Sequence, residues 1–167
     1  MDFAEIPGQI ARLIEDVENA SSSWSPESWQ HRRAPGKWSR IEIVGHLVDS
    51  ARNNTERLVR ALSVPSLEWP GYQQNEQVSV QHYHESVAKE TLALWAALNR
   101  HLAYVVGRVP REKLSTRCHV GESWEVSLEE MMLDYVAHME HHLRQVLAGD
   151  RATLRYSGLA YPLYGKL

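Results

Sequence analysis

The stretch SLEEMMLDYVAHMEHHLRQVLAG, from Ser127 to Gly149, is the clearest helix in the chain and decides the fold. Ser127 and Glu130 form a capping box, in which each side chain satisfies a backbone amide at the start of a helix. Gly149 suits the left-handed residue that ends many helices. Between these ends, apolar residues recur every three or four positions, which indicates a helix packed along one face. They are Leu128, Met131, Met132, Tyr135, Met139, Leu143 and Val146.

Three histidines of this helix separate on a helical wheel. At about 100° per residue, His142 falls within roughly 60° of the centre of the apolar face, His138 lies at its edge, and His141 points to the opposite side. Residues four apart lie one above the other, so His138 and His142 can present two imidazoles to a single metal ion. The pair alone is a weak signal, because histidines at the margin of a core are common. A third ligand must come from another segment.

Length and composition exclude several classes of protein. At 167 residues the chain fits one domain, spanning residues 1–167. The net charge of −3 contains no long run of one sign, which argues against a nucleic-acid binder. The single cysteine, Cys118, excludes an internal disulfide framework and is compatible with a reducing cytoplasm. No signal peptide or membrane-spanning stretch is evident. We expect a cytoplasmic protein that binds neither nucleic acid nor membrane.

Three further segments have helical apolar periodicity, which predicts four helices in all. They span about residues 7–21, 39–63 and 79–106. Ser39 and Glu42 form a second capping box at the start of the second helix. The connection over residues 64–77 is too long for a tight helical hairpin. The sequence therefore predicts an all-α four-helix bundle with a long crossover between helices two and three.

The remaining segments carry weaker predictions. The short basic run over residues 31–33 is expected to be solvated. Residues 110–123 are expected to form a loop, and we find no convincing strand pattern in the chain. In the C-terminal tail, Tyr156, Tyr161 and Tyr164 are expected to pack back over the bundle.

A polar line runs along the second helix through His46, Ser50, Asn53 and Arg57, which are spaced by four, three and four residues. Periodicity alone favours a line that faces solvent, because His46 is far from the apolar centre of its helix. A helix near the middle of a bundle is covered on more than one side, however, and the line would then face an internal cleft. The residues alone leave both interpretations open.

Residue types exclude two familiar metal chemistries. A di-iron carboxylate bundle needs Glu three residues before His, and none of the nine histidines meets that condition. A zincin needs Glu directly after the first metal-binding His, but Met139 follows His138. What remains is a mononuclear site of His138, His142 and, as the best-placed third candidate, His46. Three neutral ligands would leave an open position on the ion, which indicates chemistry rather than a structural role.

Two separated motifs resemble the DinB superfamily, in particular its YfiT-like branch. They are W-S-x-x-E-x-x-x-H-L-x-D-S-x-x-N at residues 38–53, with Arg57 beyond it, and H-x-x-H-H at residues 138–142. The resemblance implies a DinB-type four-helix bundle, commonly a homodimer, with one divalent metal, often nickel or zinc. The implied ligands are His46, His138 and His142. Residues implied to line or brace the site are Asp49, Asn53, Asn54 and Arg57.

The resemblance also implies two activities, a metal-dependent hydrolase or a transferase that attaches a low-molecular-weight thiol to electrophiles. We favour the transferase, because the sequence fixes no obvious carboxylate base and a metal can itself favour the thiolate nucleophile. Its partners would be a small-molecule thiol and an electrophilic substrate, with Arg57 able to neutralise a carboxylate on either. One alternative is a hydrolase that uses metal-bound water, and another is a non-catalytic metal-binding stress-response bundle.

Overall fold

A computed structural model describes residues 1–122, 124–148 and 154–158 of the chain. Six α-helices and three short strands lie within these residues. The helices are α1 (Ile6–Ser21), α2 (Pro26–Gln30), α3 (Arg40–Ala61), α4 (Gln74–Val80), α5 (Ala88–Val106) and α6 (Leu128–Leu147). The strands are β1 (Ser66–Trp69), β2 (Arg117–Val120) and β3 (Trp124–Ser127).

The four long helices α1, α3, α5 and α6 form the predicted four-helix bundle. Helix α3 packs against α5 and α6, and α1 packs against the same two helices, so α1 and α3 lie across the bundle from each other. Each long helix contributes fully buried apolar side chains to one core. Examples are Leu13, Leu58, Trp95 and Met131. Burial of these apolar faces is the main force that holds the bundle together.

The two helices that carry the motif histidines begin where the sequence predicts. The backbone amide of Ser39 donates to the Glu42 carboxylate at 2.8 Å, and that of Ser127 donates to Glu130 at 2.8 Å. Both capping boxes are complete, so α3 and α6 each start one residue after the serine. The predicted stop at Gly149 lies outside the described residues.

The relative placement of α3 and α6 brings their histidines to the same level. Arg40, the first residue of α3, donates from Nε to the carbonyl of Val146 near the end of α6 at 2.8 Å, so the two helices are antiparallel. At about 1.5 Å per residue, His46 lies roughly 9 Å along α3 from this contact. On α6, His142 and His138 lie roughly 6 and 12 Å from it. The depth of His46 therefore falls between the other two.

The expectation that the chain contains no strands was wrong. The three strands form a sheet in the order β1-β2-β3, with β1 parallel to β2 and β2 antiparallel to β3. Cys118 of β2, which we expected in a loop, pairs with Leu67 and Val126, and all three side chains are buried. Each strand has four residues, too few positions for a reliable period-two pattern in the sequence.

The predicted third helix, over residues 79–106, starts too early, because the helical conformation is interrupted between α4 and α5. His82 adopts a left-handed backbone conformation with φ of 53°, and a 3-10 turn follows at Tyr83–Glu85. Val80 and Val87 have helical spacing from Tyr83, but they are 60% and 59% exposed and do not belong to the core. Their spacing in the sequence therefore predicted a longer helix than the structure contains. The crossover between α3 and α5 therefore contains β1, α4 and this turn.

The described part of the tail supports only part of the tyrosine prediction. The Arg144 guanidinium carbon lies 4.1 Å from the ring centroid of Tyr156, which is 45% exposed. Tyr161 and Tyr164 lie outside the described residues. No helix in the described part of the chain is both long and apolar enough to cross a membrane. The single domain over residues 1–167 stays a prediction.

Candidate metal centre

Three histidines from two helices converge at one point in the bundle. His46 from α3 has its Nε2 atom 3.1 Å from Nε2 of His138 on α6. The ring centroid of His142 lies 4.6 Å from each of the other two rings, and all three pairs of ring planes meet at 71°. One ligand atom from each residue lies within 4.8 Å of the others. The structure thus brings together the three residues that the sequence singled out.

The polar line of α3 faces inward. His46 is 1% exposed, and Ser50 and Arg57 are also buried. His142 is 9% exposed, while His138 is intermediate. The line therefore faces an internal cleft, and the interpretation that it faces solvent is wrong. The reason is that α6 packs against the polar side of α3, which the apolar periodicity of α3 alone could not show.

The environment keeps all three imidazoles neutral. Burial, with a smaller contribution from His142, lowers the pKa of His46 to about 3. Burial lowers the pKa of His142 to about 4, although its hydrogen bond to Gln145 opposes the shift. The pKa of His138 is lowered well below its ordinary value, first by burial and then by His142. Neutral imidazoles carry the free lone pair that binds a metal.

Two of the three imidazole rings are held by a hydrogen bond to their Nδ1 atom. Nδ1 of His142 lies 3.1 Å from Oε1 of Gln145, and Nδ1 of His138 lies 3.4 Å from Oγ of Ser50. When Nδ1 donates to such an oxygen, the lone pair is fixed on Nε2. Metal-binding histidines commonly use this arrangement, which fixes the tautomer and the ring orientation.

Ser50 is connected in turn to two of the predicted site residues. Nδ2 of Asn54 donates to Oγ of Ser50 at 3.3 Å, and Nη1 of Arg57 donates to Oδ1 of Asn54 at 3.4 Å. Burial lowers the pKa of the Arg57 guanidinium below its ordinary value, although arginine stays charged in proteins. A chain of polar contacts therefore runs from Arg57 to His138.

Asp49 and Asn53 have a different environment from the other predicted site residues. Gln81 Nε2 and the Tyr83 hydroxyl donate to Oδ1 of Asp49 at 2.7 and 2.9 Å. Burial raises the pKa of Asp49, and these two hydrogen bonds oppose the shift. Nδ2 of Asn53 donates to the Asp49 carbonyl at 2.9 Å. The contacts of Gln81 and Tyr83 join the crossover to α3, whereas that of Asn53 lies within α3, and none of them reaches the three histidines.

The histidine cluster fits a divalent metal. Two nitrogens bound to zinc at about 2.0–2.1 Å in tetrahedral geometry lie about 3.3–3.4 Å apart. The 3.1 Å between Nε2 of His46 and Nε2 of His138 is close to that value before any adjustment of the side chains. A set of imidazoles without carboxylates suits zinc or nickel better than magnesium or calcium.

A cavity of about 960 Å³ lies beside the cluster, with His142 in its wall. Trp38 also lines it, and the indole centroid is 5.0 Å from the His46 ring and 6.3 Å from the His142 ring. We did not identify Trp38 or Gln145 from the sequence. The signals were present: Trp38 opens the first motif, and Gln145 lies three residues after His142 on the same helix face.

A family model described as the DinB superfamily matches residues 9–146. Among solved structures, the chain resembles YfiT from Bacillus subtilis, described as a probable metal-dependent hydrolase with an unusual four-helix bundle topology. The TM-score is 0.77 at 16% sequence identity, over 86% of this chain and 83% of that one. At this identity the likeness shows the fold. No curated protein has a matching sequence.

Proposed function

The chain belongs to the DinB superfamily, and from this premise we propose that it is a metal-dependent enzyme that transfers a low-molecular-weight thiol to an electrophilic substrate. The observation that carries the proposal is the convergence of three neutral histidines, one of which, His142, lines a cavity. Among the described lining residues of this cavity there is no carboxylate that could serve as a general base for water. This favours a reaction in which the nucleophile forms without such a base.

We propose that His46, His138 and His142 hold one divalent ion, either nickel or zinc. When bound, such an ion acts as a Lewis acid that favours thiolate over thiol, or hydroxide over water. In the transfer reaction, a bond forms between the thiolate sulfur and the electrophilic carbon. The bond to the leaving group breaks with its electron pair, and the thiol proton passes to solvent.

The residues around the cluster have supporting roles in this proposal. Ser50 and Gln145 hold the tautomers of His138 and His142, as their hydrogen bonds suggest. Trp38 covers His46 and supplies an aromatic wall for the electrophile. Asn54 and Arg57 act through Ser50 as positioning residues, Asp49 braces α3 against the crossover, and Asn53 holds the Asp49 carbonyl within α3.

The test is consumption of monochlorobimane by untagged protein in the presence and absence of a thiol. We expect fluorescent product to form faster than in the uncatalysed reaction only when both thiol and metal are present. His138→Ala should abolish the acceleration, whereas His101→Ala, which alters an exposed histidine of α5, should keep it. No acceleration with any thiol by the metal-loaded protein would contradict the transferase proposal.

A metal-dependent hydrolase is the second candidate, and the description of YfiT as a probable metal-dependent hydrolase favours it. It predicts metal-dependent cleavage of activated esters or amides that does not depend on thiol and is lost in His138→Ala. A non-catalytic metal-binding bundle predicts bound metal without turnover in either assay. The two assays on one preparation therefore separate the three functions.

Two further parts of the proposal concern the protein in the cell. We propose that it is cytoplasmic and that it forms a homodimer, as the DinB resemblance implies. Sedimentation equilibrium on the full chain tests the dimer, which predicts twice the chain mass of 19.2 kDa. A species at the chain mass across the concentration range would contradict it.

A further inference from the structure

The described lining residues of the cavity beside His142 carry a charge opposite to that of the whole chain. Its cationic lining residues are Arg33, Lys37 and Arg40, and none of its described lining residues is acidic. The whole chain has 21 acidic and 18 basic residues and a net charge of −3. Cationic groups in a concave site raise the local concentration of anions.

The end of α6 accounts for the positions of the two arginines. Arg33 donates from Nη2 to the carbonyls of Gln145 and Ala148 at 2.5 and 2.7 Å, and Arg40 donates to the carbonyl of Val146. Carbonyls at a helix C-terminus carry about half a negative charge in total, so they stabilise a cation without neutralising it fully. Arg33 therefore stabilises α6 and still contributes positive potential to the cavity.

Lys37 has no such structural explanation. Its side chain is exposed, lines the cavity and makes no ion pair with a described residue. It directly precedes Trp38, whose indole centroid lies 5.0 Å from the His46 ring. Lys37 and His142 of the histidine cluster line the same cavity, and its 960 Å³ lies within the range of about 300–1,000 Å³ typical of small-molecule sites.

We infer that this cavity binds a small organic molecule that carries a carboxylate, with the carboxylate near Lys37 and Arg33. If the proposed function holds, that molecule is the thiol, and its sulfur reaches towards His142 while its carboxylate binds near Lys37 and Arg33. This identification of the ligand as the thiol substrate rests on the proposed function. The binding of a carboxylate does not.

The direct test is calorimetric titration of the full-length protein, as purified, with succinate and with its uncharged analogue succinamide. We expect succinate to bind more tightly and its affinity to fall as salt concentration rises. Lys37→Gln should weaken succinate binding by about threefold to fivefold, as for other exposed charge pairs. Lys89→Gln, which removes an exposed lysine at the start of α5, should leave it unchanged.

Two results would overturn the inference. One is equal affinity for succinate and succinamide, including no binding of either. The other is equal succinate affinity in Lys37→Gln and Lys89→Gln, which would indicate that the carboxylate contacts only a metal or another surface.

A kinetic comparison separates this inference from the proposed function. With monochlorobimane as electrophile, 3-mercaptopropionate should be used more efficiently than 2-mercaptoethanol relative to their uncatalysed rates, and Lys37→Gln should reduce this preference. Turnover without any preference for the anionic thiol would overturn the inference but would still support the transferase proposal. Succinate binding that depends on Lys37, without turnover of any thiol, would support the anion site and contradict the transferase.

Discussion

At the scale of single residues, metal binding depends on imidazoles that are neutral and held in one orientation. Neutrality follows from burial, which lowers the pKa of His46, His138 and His142. Orientation follows from hydrogen bonds to the Nδ1 atoms, which Ser50 and Gln145 supply. The sequence indicated His138 and His142 through their spacing. It could not show that His46 is buried, because that depends on which helix covers the second face of α3.

Ser50→Ala tests the role of the hydrogen bond to Nδ1. Loss of the contact between Ser50 Oγ and His138 Nδ1 should lower metal affinity by about 10- to 100-fold, the usual effect of removing such a partner. Competition with a chromophoric chelator measures the affinity. Ser115→Ala, which alters an exposed serine, is the matched control and should bind metal as wild type does. If both variants bind metal equally well, the contact has no role in the site.

The lowered pKa values also predict how the metal-free protein responds to acid. Between about pH 6.5 and pH 4, the unfolded chain binds protons on these histidines that the folded chain does not, so their effect is to reduce the free energy of unfolding as pH falls. Each buried histidine should contribute about 1.4 kcal/mol per pH unit in this range.

His46→Gln isolates this contribution from that of other groups. The stability difference between wild type and His46→Gln should shrink as pH falls from 7 to 5, because only the wild type must keep His46 neutral there. Urea unfolding in the presence of a chelator measures the difference at each pH. A difference that stays constant would mean that His46 is not held neutral by the fold.

At the scale of elements, an aromatic ring helps to hold the crossover against α3. The Tyr83 ring packs closely against Gly45, and its hydroxyl donates to Asp49. The sequence marked the starts of α3 and α6 well, because a capping box is a local signal. It did not mark the break before α5, since the left-handed residue there is His82 rather than glycine and the flanking valines have helical spacing.

Gly45→Ala tests the packing of the crossover. A Cβ atom at Gly45 would lie 2.2 Å from Cγ of Tyr83, so the ring must move. We expect a loss of about 1–3 kcal/mol in the free energy of unfolding from this overpacking, measured by urea denaturation. At Gly8 of α1, the nearest atom to an added Cβ is Arg12 Nη1 at 3.5 Å, an ordinary contact. Gly8→Ala should therefore be neutral or slightly stabilising, and an equal loss in both variants would contradict this account.

At the scale of the whole molecule, the site exists because α3 and α6 are antiparallel neighbours with a particular stagger. The contact of Arg40 with the end of α6 shows that stagger, which places His46 between the levels of His142 and His138. The sequence predicted four helices and a long crossover. It could not determine which helices are neighbours, because amphipathic faces show that a helix packs but not against which partner. The short sheet depends on long-range pairing in the same way.

The measurement that tests the central claim most directly is the metal content of untagged protein by elemental analysis, for wild type, His46→Ala and His101→Ala. Circular dichroism should first verify that each variant keeps its helices. We predict about one equivalent of divalent metal, nickel or zinc, per chain in wild type and in His101→Ala, and almost none in folded His46→Ala. Equal metal content in all three proteins, or a wild type that binds neither ion when both are supplied, would contradict a site built from His46, His138 and His142.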